Sequence, residues 1–296
     1  MPLRNNFGSL LTAMITPFDR QQKVDYEQVA KLAKYLADRG SDGLVITGTT
    51  GESPALSEEE KLRIYETVIK EVKGKLKVIA GTGSNSTLSA IEMSKKAEKI
   101  GVDGLMLVVP YYNKPPQEGL YQHFKNIAAA VSLPIMLYNV PGRTAVNLSA
   151  ATTLKLAEID NIVAIKEASG DLEQITYICK EAPEGFDVYS GDDSLTLPVL
   201  SVGGKGVVSV ASHLVGPEIK GMINSYFEGK TEEALKKHQY LMPLFKAMFA
   251  ITNPIPVKTA LNMAGVAAGG TRLPLSAMPQ KMAAELQDLL RSYGIV

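Results

Sequence analysis

The sequence predicts an α/β fold: a (β/α)8 TIM barrel with a C-terminal three-helix extension. Three observations carry this expectation. Eight short β-rich apolar runs follow one another between residues 10 and 212, helix-period segments separate them, and neither a GxGxxG nor a Walker A pattern marks a doubly wound nucleotide-binding sheet. At 296 residues the chain suits a barrel of about 250 residues plus an appendage.

The runs are LLTAMIT (10–16), GLVIT (43–47), KVIAGT (77–82), GLMLVVP (104–110), PIMLYNV (134–140), IVAIKEA (162–168), FDVYSGD (186–192) and GVVSVAS (206–212). Between the second and third lies SEEEKLRIYETVIKEVKG. There Ser57 and Glu60 form a capping box, Leu62, Tyr65, Val68 and Val72 mark one face, and Gly74 ends the helix. GSDGL (40–44), GVDGL (101–105) and GGKGV (203–207) echo one another as helix-closing, strand-opening loops. After about residue 230 the strand pattern stops. TEEALKKHQYLMPLFKAMFA, PVKTALNMAGV and SAMPQKMAAELQDLLRSYG read as helices, the first kinked at Pro243 and the last capped by Ser276 and ending near Gly294. The division expected is a catalytic barrel over 1–229 and a helical region over 230–296 packed on it, since no Pro-, Gly- or Ser-rich linker separates them.

Basic and acidic residues balance at 31 each, and no basic stripe interleaves with aromatics, so nothing points to nucleic acid or a membrane surface. The single cysteine, Cys179, excludes an internal disulfide and suits a reducing compartment. The N-terminal stretch has too short an apolar run before Pro17 and Asp19 for a signal peptide, and no later run is long enough for a membrane span. The expectation is a soluble, cytoplasmic protein. His123, His213 and His238 lack partners at ligand spacing, which argues against a metal site.

In a barrel of this kind the C-terminal ends of the strands build the active site. VAIKEASG (163–170) places Lys166 at such an end. Alternation puts Val163 and Ile165 on one face and Ala164 and Lys166 on the other, inward; on the preceding strand it turns Met136 and Tyr138 inward and Ile135 and Leu137 outward. Adjacent strands lie about 4.8 Å apart, so Tyr138 and Lys166 approach each other over the mouth. A lysine in a partly desolvated mouth has its ammonium disfavoured, and the neutral amine attacks a ketone to form an imine that acidifies the neighbouring carbon. The alternative is a lysine that snorkels to solvent or pairs with Glu167 or Asp171.

Three loops accompany it. In GTTGES (48–53), backbone N–H groups freed by Gly48 and Gly51, with the Thr49 and Thr50 hydroxyls, can wrap a carboxylate; an ordinary Gly-rich turn is the other reading. In YNVPGRT (138–144), Arg143 can hold a carboxylate bidentately or stand solvated. PYYNKPPQEGLYQHF (110–124) carries two tyrosines into a proline-stiffened loop that suits a lid or a subunit contact.

GTTGES, PYYNKP, YNVPGRT, IKEASGD and YSGDD occur in the order and approximate spacing of the 4-hydroxy-tetrahydrodipicolinate (dihydrodipicolinate) synthase family, and the resemblance covers essentially the whole chain. The wider superfamily, which includes N-acetylneuraminate lyase, is similar in the lysine, the tyrosine and the GxTGE-like loop. The resemblance implies that Lys166 forms an imine with pyruvate. Tyr138 would shuttle protons, linked through Thr49 to a Tyr112 lent by a neighbouring subunit. Thr50 would hold pyruvate's carboxylate, Arg143 that of aspartate 4-semialdehyde, and Gly191 and Val208 would line the site through backbone. It further implies a homotetramer built as a dimer of tight dimers, no cofactor or metal, and the first committed step of diaminopimelate and lysine biosynthesis. Ser53, Asn85 and Tyr111 match an allosteric lysine pocket of the family, but Ser89 stands where lysine-sensitive relatives carry a glutamate and Lys61 adds a positive charge, so weak or absent inhibition is expected. Two other readings remain: a Schiff-base aldolase cleaving a 2-oxo sugar acid to pyruvate, which would tolerate loss of Arg143, and a non-catalytic pyruvate-binding barrel, which would be expected to lack Lys166 or Tyr138.

Overall fold

A computed structural model of the chain describes residues 7–296. Eight parallel strands close in chain order into a barrel: β1 (Leu10–Ala13), β2 (Gly43–Ile46), β3 (Lys77–Gly81), β4 (Gly104–Val108), β5 (Ile135–Asn139), β6 (Ile162–Glu167), β7 (Asp187–Ser190) and β8 (Gly206–Ser209). The surrounding helices are α1 (Tyr26–Ala37), α2 (Glu58–Val72), α3 (Thr87–Ile100), α4 (Gln117–Ala128), α5 (Pro141–Thr144), α6 (Ala150–Ala157), α7 (Leu172–Glu181), α8 (Thr196–Ser201) and α9 (Ser212–Phe227). Then come α10 (Thr231–Ala247), α11 (Ile255–Met263) and α12 (Gln280–Ser292). Every strand stops short of its apolar run at the C-terminal rim, because there the chain leaves the ladder to form the loops of the mouth.

Two cores result. Leu11, Val45, Ile79, Met106, Met136 and Val208 fill the barrel, while Leu10, Leu44, Val78, Leu105, Ile135 and Leu137 pack outward against the helices. Strict alternation fails at one residue. Ile135 pairs with Ile162 but Met136 pairs with Ala164, a bulge that turns Val163 inward with Ala164 instead of outward with Ile165. Beyond the bulge alternation resumes, and Tyr138 stands opposite Lys166.

Helix ends follow the local chemistry. Ser57 Oγ accepts from the Glu60 N–H at 3.2 Å and Glu60 Oε2 from the Ser57 N–H at 2.9 Å, the expected capping box. Gly40, Gly101 and Gly203 take the left-handed conformation, with φ of 87°, 94° and 105°, at the three echoing loops. The three C-terminal helices are present, with two corrections. α10 runs as one element through Pro243, and in the turn before it the Tyr293 hydroxyl donates to the Tyr240 carbonyl. The break lies in α9 instead, at Val215, two residues before Pro217. Ser276 does not cap α12, because Met278 precedes Pro279 and is held out of helical conformation, so the helix starts at Gln280.

Among the described residues no helix is long and apolar enough to cross a membrane, and no cluster of three or more His, Cys, Asp or Glu could hold a metal ion. Burial raises the Cys179 thiol to about 11, which leaves it protonated and unreactive at neutral pH.

His213 joins β1 to β8. Its Nδ1 lies 2.8 Å from the Val210 carbonyl, which only accepts, so Nδ1 carries the proton and Nε2 accepts from the Ile15 N–H at 3.2 Å. Both bonds require a neutral ring, and burial pushes its pKa down to about 4, as it does for His123. A histidine that resists protonation when folded but accepts it near 6.5 when unfolded contributes stability that is complete above 6.5 and lost as pH falls toward 4. The urea midpoint should therefore drop between pH 7 and pH 5, with the unfolding free energy falling below pH 6.5 by up to about 1.4 kcal/mol per pH unit for each such histidine. An unchanged midpoint, or a His213 ring titrating near 6.5 by NMR, would contradict this.

Candidate active site

Lys166 is set by strand register. It pairs with Tyr138 on β5 and Tyr189 on β7, is 5% exposed, and its Nζ lies 4.3 Å from the centroid of the Tyr138 ring. No hydrogen bond or ion pair reaches the amine among the described residues. Glu167, the next residue, faces the opposite way. It accepts from Asn139 Nδ2 at 3.0 and 3.1 Å, from Gln174 Nε2 at 3.0 Å and from the Ser169 N–H at 2.8 Å. Burial pushes its carboxyl up and these bonds oppose the shift. Asp171 instead caps α7 through the Gln174 N–H. Neither of the pairings that would have made Lys166 an ordinary structural lysine forms.

Gly191 explains how the amine finds room. A Cβ there would stand 2.6 Å from Ala168 Cβ and 3.1 Å from Lys166 Cε, so only glycine lets β7 pass so close to the lysine stem. Val208 lies buried on the interior face of β8.

A cavity of about 510 Å³ opens at the mouth beside β2–β5, lined by Gly48, Thr49, Met106, Tyr138, Val140 and Arg143. Lys166, Thr50, Gly191 and Val208 are not on its wall; the lysine lies one strand beyond Tyr138, which is on it, with its amine against the Tyr138 ring. Arg143, on the short α5 turn, is exposed and free of any carboxylate partner among the described residues. The cavity continues outward to Ser53, Lys61, Ser89 and Tyr111, and Asn85 Nδ2 donates to the Tyr111 carbonyl at 3.2 Å. Thus the candidate allosteric residues adjoin the candidate catalytic ones. Tyr112 is not brought in. It is 89% exposed, with φ of 77°, and projects away from this chain's own cavity.

The GTTGES loop is a tight turn. The Glu52 N–H bonds to the Thr49 carbonyl at 3.0 Å, the Ser53 N–H to the Gly48 carbonyl at 3.2 Å, and Thr16 Oγ1 donates to the Gly51 carbonyl at 2.7 Å. Its deeper attachments were missed in the sequence. Glu52, at φ 56°, accepts from Lys258 Nζ at 2.6 Å with both side chains almost fully buried, and the Thr50 hydroxyl bonds to Asn253 Nδ2 at 2.9 Å. Burial lowers Lys258 to about 8 while Glu52 opposes the shift. One signal was available: Lys258 interrupts the apolar stretch PIPVKTALNM much as Lys166 interrupts VAIKEA.

Fold and site together define a (β/α)8 barrel enzyme with a buried lysine at its mouth. Residues 6–293 match the Dihydrodipicolinate synthetase family, and the chain belongs to it. The 4-hydroxy-tetrahydrodipicolinate synthase of Bacillus subtilis is 59% identical over 271 residues, 91% of this chain and 93% of that one. Among solved structures, lysine-bound dihydrodipicolinate synthase from Cyanidioschyzon merolae superposes with a TM-score of 0.97 at 49% identity, covering 98% of this chain and 99% of that one. A monomeric dihydrodipicolinate synthase variant superposes with a TM-score of 0.95 at 40% identity, covering 98% of each.

Gly191→Ala tests the geometry. The added methyl must displace the Lys166 stem, and a misplacement of order 1 Å should slow reaction of the amine with a small 2-oxo acid about 10²-fold, read as the rate of irreversible labelling with borohydride. A labelling rate equal to that of the unsubstituted protein would show that the close approach has no functional consequence.

Proposed function

We propose that the chain condenses pyruvate with L-aspartate 4-semialdehyde to give 4-hydroxy-tetrahydrodipicolinate, the compound that names its relatives, at the entry to diaminopimelate and lysine biosynthesis. The reading rests chiefly on a buried lysine amine, free of any acid partner, lying against a tyrosine at the barrel mouth. Lys166 Nζ attacks the ketone carbon of pyruvate, and loss of water leaves the imine. Tyr138 moves the protons of that dehydration and then takes one from the methyl group, giving an enamine. The enamine carbon attacks the aldehyde and forms the new carbon–carbon bond. The amino group of the bound semialdehyde then displaces Lys166 and closes the ring, so the lysine is regenerated without a separate hydrolysis.

The roles are assigned as follows. Thr49, on the cavity wall with Tyr138, serves the proton relay, and Thr50, which lies off that wall and accepts from Asn253 Nδ2, holds pyruvate's carboxylate with the loop backbone. Arg143, free of any carboxylate of its own chain, binds the carboxylate of the semialdehyde, and this is what favours the synthase over a lyase acting on 2-oxo sugar acids. Gly191 and Val208 bound the imine pocket. The exposed Tyr112 is supplied to a neighbouring subunit, so the working form is a homo-oligomer, a tetramer of paired tight dimers in the cytoplasm. Residues 1–229 form the catalytic barrel, with 230–296 packed on it, and no cofactor or metal takes part.

Initial rates with both substrates, coupled to an NADPH-dependent reductase acting on the product, test the reading. Tyr138→Phe should lower turnover by about 10²–10⁴-fold while retaining the pyruvate imine, and Arg143→Ala should raise the half-saturating semialdehyde concentration far more than that of pyruvate. No turnover of the unsubstituted protein, or an Arg143→Ala variant with unchanged kinetics, would refute it.

Ser53, Asn85 and Tyr111 form the candidate effector pocket, where Ser89 offers no carboxylate to an incoming ammonium and Lys61 opposes it. A lysine titration should leave most activity in place at millimolar effector; strong inhibition at low concentration would overturn that.

A further inference from the structure

The loop that carries Thr49 and Thr50 is held in place by residues far away in sequence. Glu52 sits in the left-handed region with φ 56°, which a residue with a Cβ adopts only at a steric cost, so something must hold it there. Its carboxylate supplies the hold. Oε1 accepts from Lys258 Nζ at 2.6 Å and Oε2 from the Arg272 N–H at 2.9 Å. Lys258 is fixed in turn by the Gly270 carbonyl at 2.6 Å and by the Phe18 ring, whose centroid lies 4.1 Å from Nζ. Arg272 closes the assembly with a two-pronged grip on Glu60, at 2.6 and 2.8 Å, and a bond to the Ala55 carbonyl at 2.8 Å.

A buried ion pair is a poor device for stability alone. Desolvating two charges consumes most of their attraction, and an apolar pair of similar volume often folds as well. What such a pair does supply is a unique position, because a buried Glu52 carboxylate has one place where it is neutralised.

We infer that Lys258 is a positioning residue for the carboxylate-binding loop: its ion pair with Glu52 fixes the turn of residues 48–53 so that Thr49 and Thr50 meet a bound 2-oxo acid. The inference rests on the reading of this loop as the pyruvate carboxylate site. Asn253, two residues before α11, adds a second tether through Thr50, so the C-terminal helical region completes the site of the barrel. With Lys258 removed, Glu52 must seek water and draws the loop with it, while Lys166 and Tyr138, anchored in β6 and β5, stay in place.

The test is imine formation as a function of pyruvate concentration, by borohydride quench, in the unsubstituted enzyme, Lys258→Met, and the double variant Glu52→Gln/Lys258→Met. Lys258→Met should raise the half-saturating pyruvate concentration about tenfold or more, with the limiting rate at saturation within about threefold. The double variant strands no charge and should recover thermal stability yet keep a raised half-saturation, a separation that a merely structural role would not give. Half-saturation within about twofold of the unsubstituted enzyme in the double variant overturns the inference, and that variant decides should the single one not fold. An unsubstituted enzyme that forms no imine with pyruvate removes the underlying reading itself, and the inference with it.

Discussion

Lys166 is buried without a counter-charge, and much of the surrounding structure keeps it so. An unpaired amine in a desolvated place draws in any carboxylate that can reach it, which would restore an inert ion pair. The acids nearest to it along β6 and β7 are held elsewhere. Glu167 is turned outward by the alternation of β6 and held by Asn139, Ser169 and Gln174. Asp171 caps α7, and Asp192 caps the turn that follows β7 through the Ser194 N–H. Asp193 accepts from the Val210 and Ala211 N–H groups at 3.0 Å each. The Tyr138 ring lies against the amine, with Gly191 giving the stem its space.

That isolation depends on register. The bulge at Val163 admits one extra residue on β6, and pairing then resumes with Tyr138 opposite Lys166. A strand reads out its side chains with a period of two, so a shift of one residue would have exchanged Lys166 and Glu167 between the interior and the helices. Charge placement at the mouth and hydrophobic packing below it are thus one constraint. Met136 and Ala164 fill the barrel beneath the site, while Ile135 and Ile165 seal β5 and β6 against their helices. The C-terminal region extends the same logic to the loop after β2 at the same mouth, where Lys258 Nζ and the Arg272 N–H bond to the Glu52 carboxylate.

Much of this was legible in the sequence, for identifiable reasons. Eight apolar runs with glycine-closed helices between them could only be a barrel, and the Ser57–Glu60 capping box formed as read. Parity also placed Tyr138, Met136 and Lys166 correctly, since those positions depend only on local alternation. It failed at Val163 because a bulge reflects the fit between two strands and leaves no mark in either one. The role of Glu52 escaped for a similar reason: GTTGES was read for its glycines and hydroxyls, and the partner of its acid lies 206 residues away. Tyr112 marks another boundary, because a side chain 89% exposed and off its own chain's cavity gains no role from the contacts of a single chain.

The account stands on one amine being free to react, and peptide mapping after borohydride reduction with pyruvate measures that directly. The result predicted is a single N-(1-carboxyethyl) adduct, formed from the reduced imine, on the peptide containing Lys166, with Lys258 unlabelled and no adduct in Lys166→Ala. Labelling elsewhere, or persistent labelling of the Lys166→Ala protein, would contradict the central claim.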